Sequence, residues 1–479
     1  MQMGQIDIAD VQIELNTRDE IPQLLRGLQY LYTNKKTRRR IFKLLEQMVP
    51  AHIDKNNGRN GMDLWKILVL GTLRLCCRWD YDKLQEIANN HYTLRQMLGH
   101  GILDFSCRYT RQTLNDNLRW FTPELLDRIN IIVVNAGLRC LGLQPDTALH
   151  GRCDSFVVET DVHFPTDINL LWDAARKTMV LTHRLCELTG TDGWRQTSHN
   201  LKKVKRQYRT VQKLRDKEKT GATQSGMGIT ATQTYIDSCA EQFNRATVTV
   251  TPFRKHELYG GLADEILYFI EQGKKQIDQI CRRYFKGETI PHHEKVFSLF
   301  EPHTEWIVKG KAGISQELGL RVCIVESSEG FILHHRVMEK ESDDQIAVAV
   351  TRETKERFPT LRSCSYDKGF HSPRNQQELR KELDFVVLPK KGGRNPEEQA
   401  HEGSELFGEL RRKHSAVESA INALEYHGLD RCRDYGLDGF KRYAALSIIA
   451  RNIHRLGCIL QEQELEKEMR RRGVLKKAA

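Results

Sequence analysis

From about residue 147 the chain stops reading as helix, and the order of elements that follows limits the fold to few choices. LHGRCDSFVVET is rich in β-branched and aromatic residues and is entered through Pro145-Asp146, which marks a first strand. Strand signals then lapse through residues 165–305. They return as LRVCIVES and GFILHHRVM, joined by Ser328-Glu329-Gly330 in the pattern of an antiparallel hairpin. A helix follows, with Ser342 and Gln345 forming a capping box. Its apolar face runs through Ile346, Ala349 and Val350 to Phe358, before Pro359 ends it. The strand LRSCSY then leads into Asp367, Gly369 lets the backbone turn, and Ser372-Pro373 caps the helix SPRNQQELRKEL, which feeds the strand DFVVLP. Such a strand, helix, strand unit predicts a right-handed parallel crossover. A flexible basic loop, KKGGRNPEEQAHEGSE, precedes a long helix from about Leu406 to His427, closed by Gly428, with Glu418 near its middle.

Three antiparallel strands followed by two parallel ones, with helices covering the sheet, is the ribonuclease-H-like order. The expected fold is therefore α/β, with a mixed five-stranded sheet interrupted by a helical insertion and preceded by an all-α N-terminal region. In such a sheet the carboxyl ends of parallel strands face a crevice, so an Asp on the first strand and an Asp ending the fourth approach each other. A Glu on the closing helix completes the cluster. Three carboxylates held together repel, and hard divalent cations relieve that repulsion by taking oxygen ligands from Asp, Glu, water and phosphate. Two such ions about 3.5–4 Å apart stabilise the attacking and leaving oxygens of an in-line displacement at phosphorus.

The rest of the chain fits a nucleic-acid enzyme. A net charge of +11 favours a polyanionic partner. Hydrophobic residues at 39% and charged residues at 29% describe a soluble globular protein. No run of about 18 apolar residues appears, and the N-terminus carries acids where a signal peptide would carry bases, so a cytoplasmic protein without membrane contact is expected. The 12 cysteines are scattered without a C-x-x-C pair and read as reduced core residues. His292-His293 and His334-His335 are likewise poor zinc signals, since neighbours in sequence point apart on a strand.

Residues 1–145 read as helices behind capping residues such as Asp63 and Asp80, and are assigned as a DNA-binding domain. DYDKLQEIANN, TLRQMLGHG and RYTRQTLNDNLRWF are compatible with a helix-turn-helix arrangement, as with any small helical bundle. The run Lys35, Lys36, Arg38, Arg39, Arg40 offers phosphate contacts or a solvated helix face. Residues 146–164 and 306–460 form the expected catalytic domain, 165–305 a helical insertion broken near GATQSGMGITATQ, and 461–479 a charged tail. Within the insertion, KKVKRQYRTVQKLRDKEK holds nine bases and two acids, enough to track a DNA backbone.

The blocks CDSFVVETDVHFPTDINLLWDAARK, SYDKGFHSP and HSAVESAINALEYHGL resemble those of DDE transposases of bacterial insertion sequences. They come closest to the ISNCY group, whose first block reads D-[ST]-x-V-V-E followed by an aromatic-P-T-D. The resemblance implies that Asp154, Asp367 and Glu418 are catalytic and bind two Mg2+ (or Mn2+) ions. It also implies double-stranded DNA as substrate, both transposon ends and target, and a homodimer in the synaptic complex. Asp161 and Asp167 compete with Asp154, and Glu425 competes with Glu418. Where many relatives carry Tyr, Arg and Lys around the glutamate, this chain has Arg411, His414 and Glu425. His414, one turn before Glu418, is a candidate phosphate contact. A metal-dependent nuclease of the same fold, or a DNA-binding regulator without catalysis, are the alternative readings.

Overall fold

The computed structural model describes residues 5–14, 19–49, 61–101, 104, 107–219, 226–308 and 316–472. The chain divides into two compact units, one of Met1–Asp161 with Ile307–Ala479 and the other of Val162–Trp306.

In the first unit the helices α1 (Ile21–Thr33), α2 (Lys35–Leu45), α3 (Leu64–Cys76), α4 (Tyr81–Asn90), α5 (Tyr92–Met97), α6 (Arg111–Leu118) and α7 (Pro123–Cys140) precede the sheet. Asp63 caps α3 by accepting from the Trp65 and Lys66 amides, and Asp80 caps α4 by accepting from the Lys83 amide, which satisfies donors that a helix start leaves unpaired. The strands are β1 (Leu149–Thr160), β2 (Glu305–Val308), β3 (Gln316–Ser327), β4 (Ile332–Met338), β5 (Leu361–Tyr366), β6 (Phe385–Val387) and β7 (Arg431–Cys432). The sheet order is β2-β3-β1-β5-β6, with β4 on β3 and β7 on β1. β1 runs antiparallel to β3 and parallel to β5, β3 and β4 are antiparallel, and β5 and β6 are parallel. This mixed α/β order is compatible with a ribonuclease-H-like sheet.

Among the described residues seven strands replace the five expected; the two extra ones are β2, of four residues, and β7, of two. β7 docks on the end of β1, where Arg431 and Glu159 pair at 2.6 Å.

The remaining helices of this unit follow the second hairpin strand. They are α12 (Asp343–Arg357), α13 (Pro373–Glu382), α14 (Pro396–Glu402), α15 (Glu405–His414), α16 (Ala416–Leu424) and α17 (Gly436–Arg471); α8 to α11 belong to the second unit. The Ser342/Gln345 capping box opens α12, and its buried face uses Ala347 where Ala349 was expected. The basic loop contains α14, started by an Asn395/Glu398 capping box. The single helix expected from Leu406 to His427 is instead α15, α16 and a π-helical turn, Glu425–Leu429, with Gly428 at φ 101°. Of the tail, residues 461–471 continue α17, and 473–479 lie outside the described residues.

No seam in the core separates residues 1–145 from the sheet. α17 packs on α1, α3, α7 and β4, so one apolar core runs from α1 through the sheet. Asn452 of α17, fully buried, accepts from the Ile332 amide at 2.9 Å and donates to the Ile332 carbonyl at 2.8 Å and to Asn130 Oδ1 of α7 at 2.7 Å. A buried amide so satisfied fixes the register of α7, α17 and β4, because any slip leaves polar atoms unpaired. α1 and α17 cross with Gly27 and Gly457 at the contact, and a Cβ on Gly457 would stand 1.8 Å from the Gln23 carbonyl oxygen.

The second unit holds α8 (Asp167–Thr189), α9 (Thr197–Lys219), α10 (Gly226–Val250) and α11 (Gly260–Ile280) around its own core of Leu171, Ala174, Tyr235, Phe243 and Ile266. The break expected near GATQSGMGITATQ is helix from Gly226 onward; residues 221–225 lie outside the described set. Thr166 caps α8, and Asp167, in the first turn, pairs with Arg283 at 2.9 Å. No helix among the described residues is long and apolar enough to cross a membrane.

Candidate active site

Parallel pairing of β1 with β5 sets Cys153 opposite Tyr366. Both are buried, and the Tyr366 hydroxyl is hydrogen-bonded to Thr351 of α12 at 2.6 Å. Successive residues of a strand face opposite sides. Asp154 therefore turns to the other face, where α16 packs on β1. Asp367 follows Tyr366 in extended conformation (φ −75°, ψ 161°) and turns the same way. Hydrogen-bonding neighbours in a sheet lie about 4.8 Å apart, so the two aspartates meet where β5 ends.

Glu418 is in the first turn of α16 and exposed, while Val417, Ala420, Ile421 and Leu424 anchor that helix in the core. A fourth acid, Asp343, opens α12 from the opposite face of the sheet. Its Oδ1 accepts from Ser155 Oγ at 2.6 Å, and the Ser155 amide donates to Asp154 Oδ1 at 2.8 Å. Sequence reading missed Asp343, because an acid beside a capping serine is ordinary helix-start chemistry. The hydroxyl residue directly after Asp154 was the only available hint of a partner. Gly369 was expected to serve by its backbone freedom. It lies instead in an ordinary 3-10 turn, and its small size matters because a Cβ there would stand 3.2 Å from Asp343 Oδ2.

The electrostatics tie these groups together. Burial pushes the Asp154 carboxyl up to about 6, Asp367, Asp343 and Glu418 add to the rise, and the Ser155 amide opposes it. Arg411 stands 3.6 Å from Asp367 and donates to the Tyr366 carbonyl at 3.0 Å, bracing the end of β5. Arg321 lies 4.0 Å from Asp343. Four acids with two guanidiniums beside them leave surplus negative charge, and carboxylate oxygens suit hard divalent cations; among the described residues no three of these acids bring their oxygens all within 4.8 Å of one another.

The other sequence candidates lie apart. Asp161 is seven residues beyond Asp154 on extended chain, about 23 Å at 3.3 Å per residue, and stands 3.9 Å from Arg431. Asp167 belongs to the second unit. Glu425 is in the π turn, two helical turns or about 10 Å past Glu418. His414 corrects an expectation: it is buried, hydrogen-bonded to Ser365 Oγ at 2.9 Å, and burial pulls its imidazole down to about 4. A neutral, inward-facing ring packs α15 on β5 and does not contact phosphate.

We expect Asp343→Asn to leave the fold intact and to lower metal-dependent DNA cleavage about 10- to 100-fold, the usual cost of losing a group that orients a ligand. Cleavage measured against Mg2+ concentration should show a weakened apparent metal affinity; an unchanged curve would remove Asp343 from the site.

Acids on a central strand, at the end of its parallel neighbour and on a covering helix are an arrangement that suits divalent cations at a phosphodiester. Residues 287–453 match the family model of the transposase DDE domain, which supports a DDE transposase. The match includes Asp343, Asp367 and Glu418 and starts after Asp154, which joins them through the pairing of β1. Neither a curated protein nor a solved structure matches the chain.

Proposed function

We propose that this chain is a DDE transposase that binds the terminal inverted repeats of its insertion sequence, cleaves the DNA at those ends and joins the freed 3′ hydroxyls to target DNA. Asp154, Asp367 and Glu418 are the proposed catalytic residues, holding two Mg2+ (or Mn2+) ions. The observation that carries this reading is the placement of acids on β1, at the end of β5 and on α16, with the latter two inside the stretch that matches the transposase DDE domain. Bound divalent ions supply charge neutralisation at phosphorus. The protein's part is positioning: Ser155 orients Asp154, Arg411 holds the strand end before Asp367, and the buried side of α16 fixes Glu418. Hydrolysis and strand transfer share one site, because water and a 3′ hydroxyl need the same placement and charge relief.

Double-stranded DNA is proposed to lie along two basic surfaces. On α9 the side chains of Lys202, Lys203, Lys205, Arg206, Arg209, Lys213 and Lys217 are exposed, while Val204 and Val211 face the core. On α2, Lys35, Lys36, Arg39 and Arg40 are exposed. The N-terminal helices, with α4 to α6 as a helix-turn-helix, are assigned to recognise the repeats, and a homodimer to hold two ends in the cytoplasm, at the nucleoid. Reversing Lys202, Lys203 and Arg206 to Glu should weaken DNA binding and flatten the slope of log affinity against log salt by about 3, at roughly 0.9 per phosphate contact. An unchanged slope in fluorescence anisotropy would take α9 off the DNA.

The deciding experiment incubates the chain and Mg2+ with a plasmid carrying the gene's flanking inverted repeats and scores cutting at the repeat ends and joining to a second plasmid. Cutting without joining, or cutting indifferent to the repeats, would make the chain a nuclease. No metal-dependent activity would make it a DNA-binding regulator.

A further inference from the structure

Behind the helix that carries Glu418, three elements of the first unit bring a thiol and two imidazoles together. α3 ends at Cys76, the π turn after α16 carries His427, and α17 carries His454. Their ligand atoms all lie within 4.8 Å of one another. Cys76 Sγ is 3.9 Å from His427 Nδ1, and the two imidazole centroids are 5.1 Å apart. The Cys76 carbonyl oxygen lies 2.6 Å from His427 Nδ1. A carbonyl only accepts, so Nδ1 carries the proton here, and a metal takes His427 through Nε2 or, once that proton leaves, through Nδ1. Orientation of an imidazole through its second nitrogen by a backbone carbonyl is characteristic of metal-binding histidines. Cys458, one helical turn beyond His454, has its Sγ 3.7 Å from His454 Nδ1.

We propose that Cys76, His427 and His454 form a structural transition-metal site, with Zn2+ as its occupant and Cys458 in the fourth position. A sulfur and nitrogen donor set excludes Mg2+ and Ca2+, which take oxygen, and suits zinc in tetrahedral geometry. Binding releases the Cys thiol protons to solvent and leaves both histidines neutral. The ligands come from elements that are remote in sequence, so the ion cross-links α3 and α17 to the turn that ends the Glu418 helix. This site is separate from the carboxylate cluster and independent of the reaction assigned to it.

The test strips the full chain with a chelator and titrates it with Co2+, whose spectrum reports both thiolate ligation and coordination number. The expected result is one Co2+ per chain with a thiolate charge-transfer band and tetrahedral ligand-field bands, displaced by one equivalent of Zn2+. The band should be lost in Cys76→Ser, weakened in His454→Gln and unaffected in Asp367→Asn, which separates this site from the carboxylates. Thermal unfolding of the stripped chain should shift upward when Zn2+ is added. A folded wild-type chain without the charge-transfer band overturns the proposal whatever the variants do, and so does a band that persists in Cys76→Ser.

Discussion

Asp154→Asn is expected to abolish DNA cleavage while making the metal-free chain more stable at pH 7. The loss should be on the order of 10³-fold, comparable with removing a principal electrostatic stabiliser of a transition state. The gain has a separate cause. In the folded chain the Asp154 carboxyl is pushed up to about 6 by burial and by Asp367, Asp343 and Glu418, whereas an unfolded aspartate titrates near 3.9. Between those values the folded chain holds more protons, so its stability falls as pH rises from about 4 to 6 and stays lower above that. Asparagine carries no charge and escapes this loss. The difference in melting temperature between variant and wild type should therefore vanish below pH 4 and be full at pH 7. Mg2+ should raise the melting temperature of the wild type and not of the variant. Activity of the wild type should decline as pH drops through about 6, since protons compete with the cation, and excess Mg2+ should move that midpoint lower. A variant that melts lower than wild type at pH 7 without metal would show that Asp154 is held by favourable partners and is no uncompensated carboxylate.

The second large effect is on stability. In Gly457→Ala the added Cβ would meet the Gln23 carbonyl oxygen at 1.8 Å and its carbon at 2.7 Å, and Gly27 opposite has the Ile453 carbonyl oxygen 2.3 Å from its own Cβ position. These neighbours are backbone, so no rotamer change relieves the clash and α1 must move off α17. The cost should be about 3 kcal/mol or more, or about 6 °C in melting temperature at roughly 2 °C per kcal/mol for a large unit. Calorimetry of the purified chain would measure it. A shift below about 2 °C would mean that the two helices separate at little cost.

How much of this was readable in the sequence depends on the range of each signal. Local chemistry was plain. The Asp63 and Asp80 caps, the Ser342/Gln345 box and the five expected strands are set by side chains within a few positions of each other. Asp367 was legible because a strand, a turn and a capped helix converge on it. Asp154 was not separable from Asp161 by pattern, and only the register of β1 against β5 puts one of them beside Asp367. Asp343 was hidden because its partner Ser155 is nearly 190 residues away, and His414 was misjudged because helical spacing does not say which face of α15 the sheet covers. The cysteines show the same limit. A search for C-x-x-C spacing cannot find Cys76 beside His427 and His454, since a fold can gather ligands from anywhere in the chain.

The separation of β1 from its partner strands also has a consequence in time. β1 pairs along its length with β3, Gly151 opposite Ser327, and at about 5–20 residues per second of synthesis that partner emerges roughly 10–35 seconds after β1. During this wait the second unit, which has its own core, can fold as a closed loop while β1 remains an unpaired edge. The acids of β1, β5 and α16 come together only after α16 has left the ribosome, so a nascent or truncated chain holds the proposed DNA-binding surfaces before it holds the proposed catalytic site.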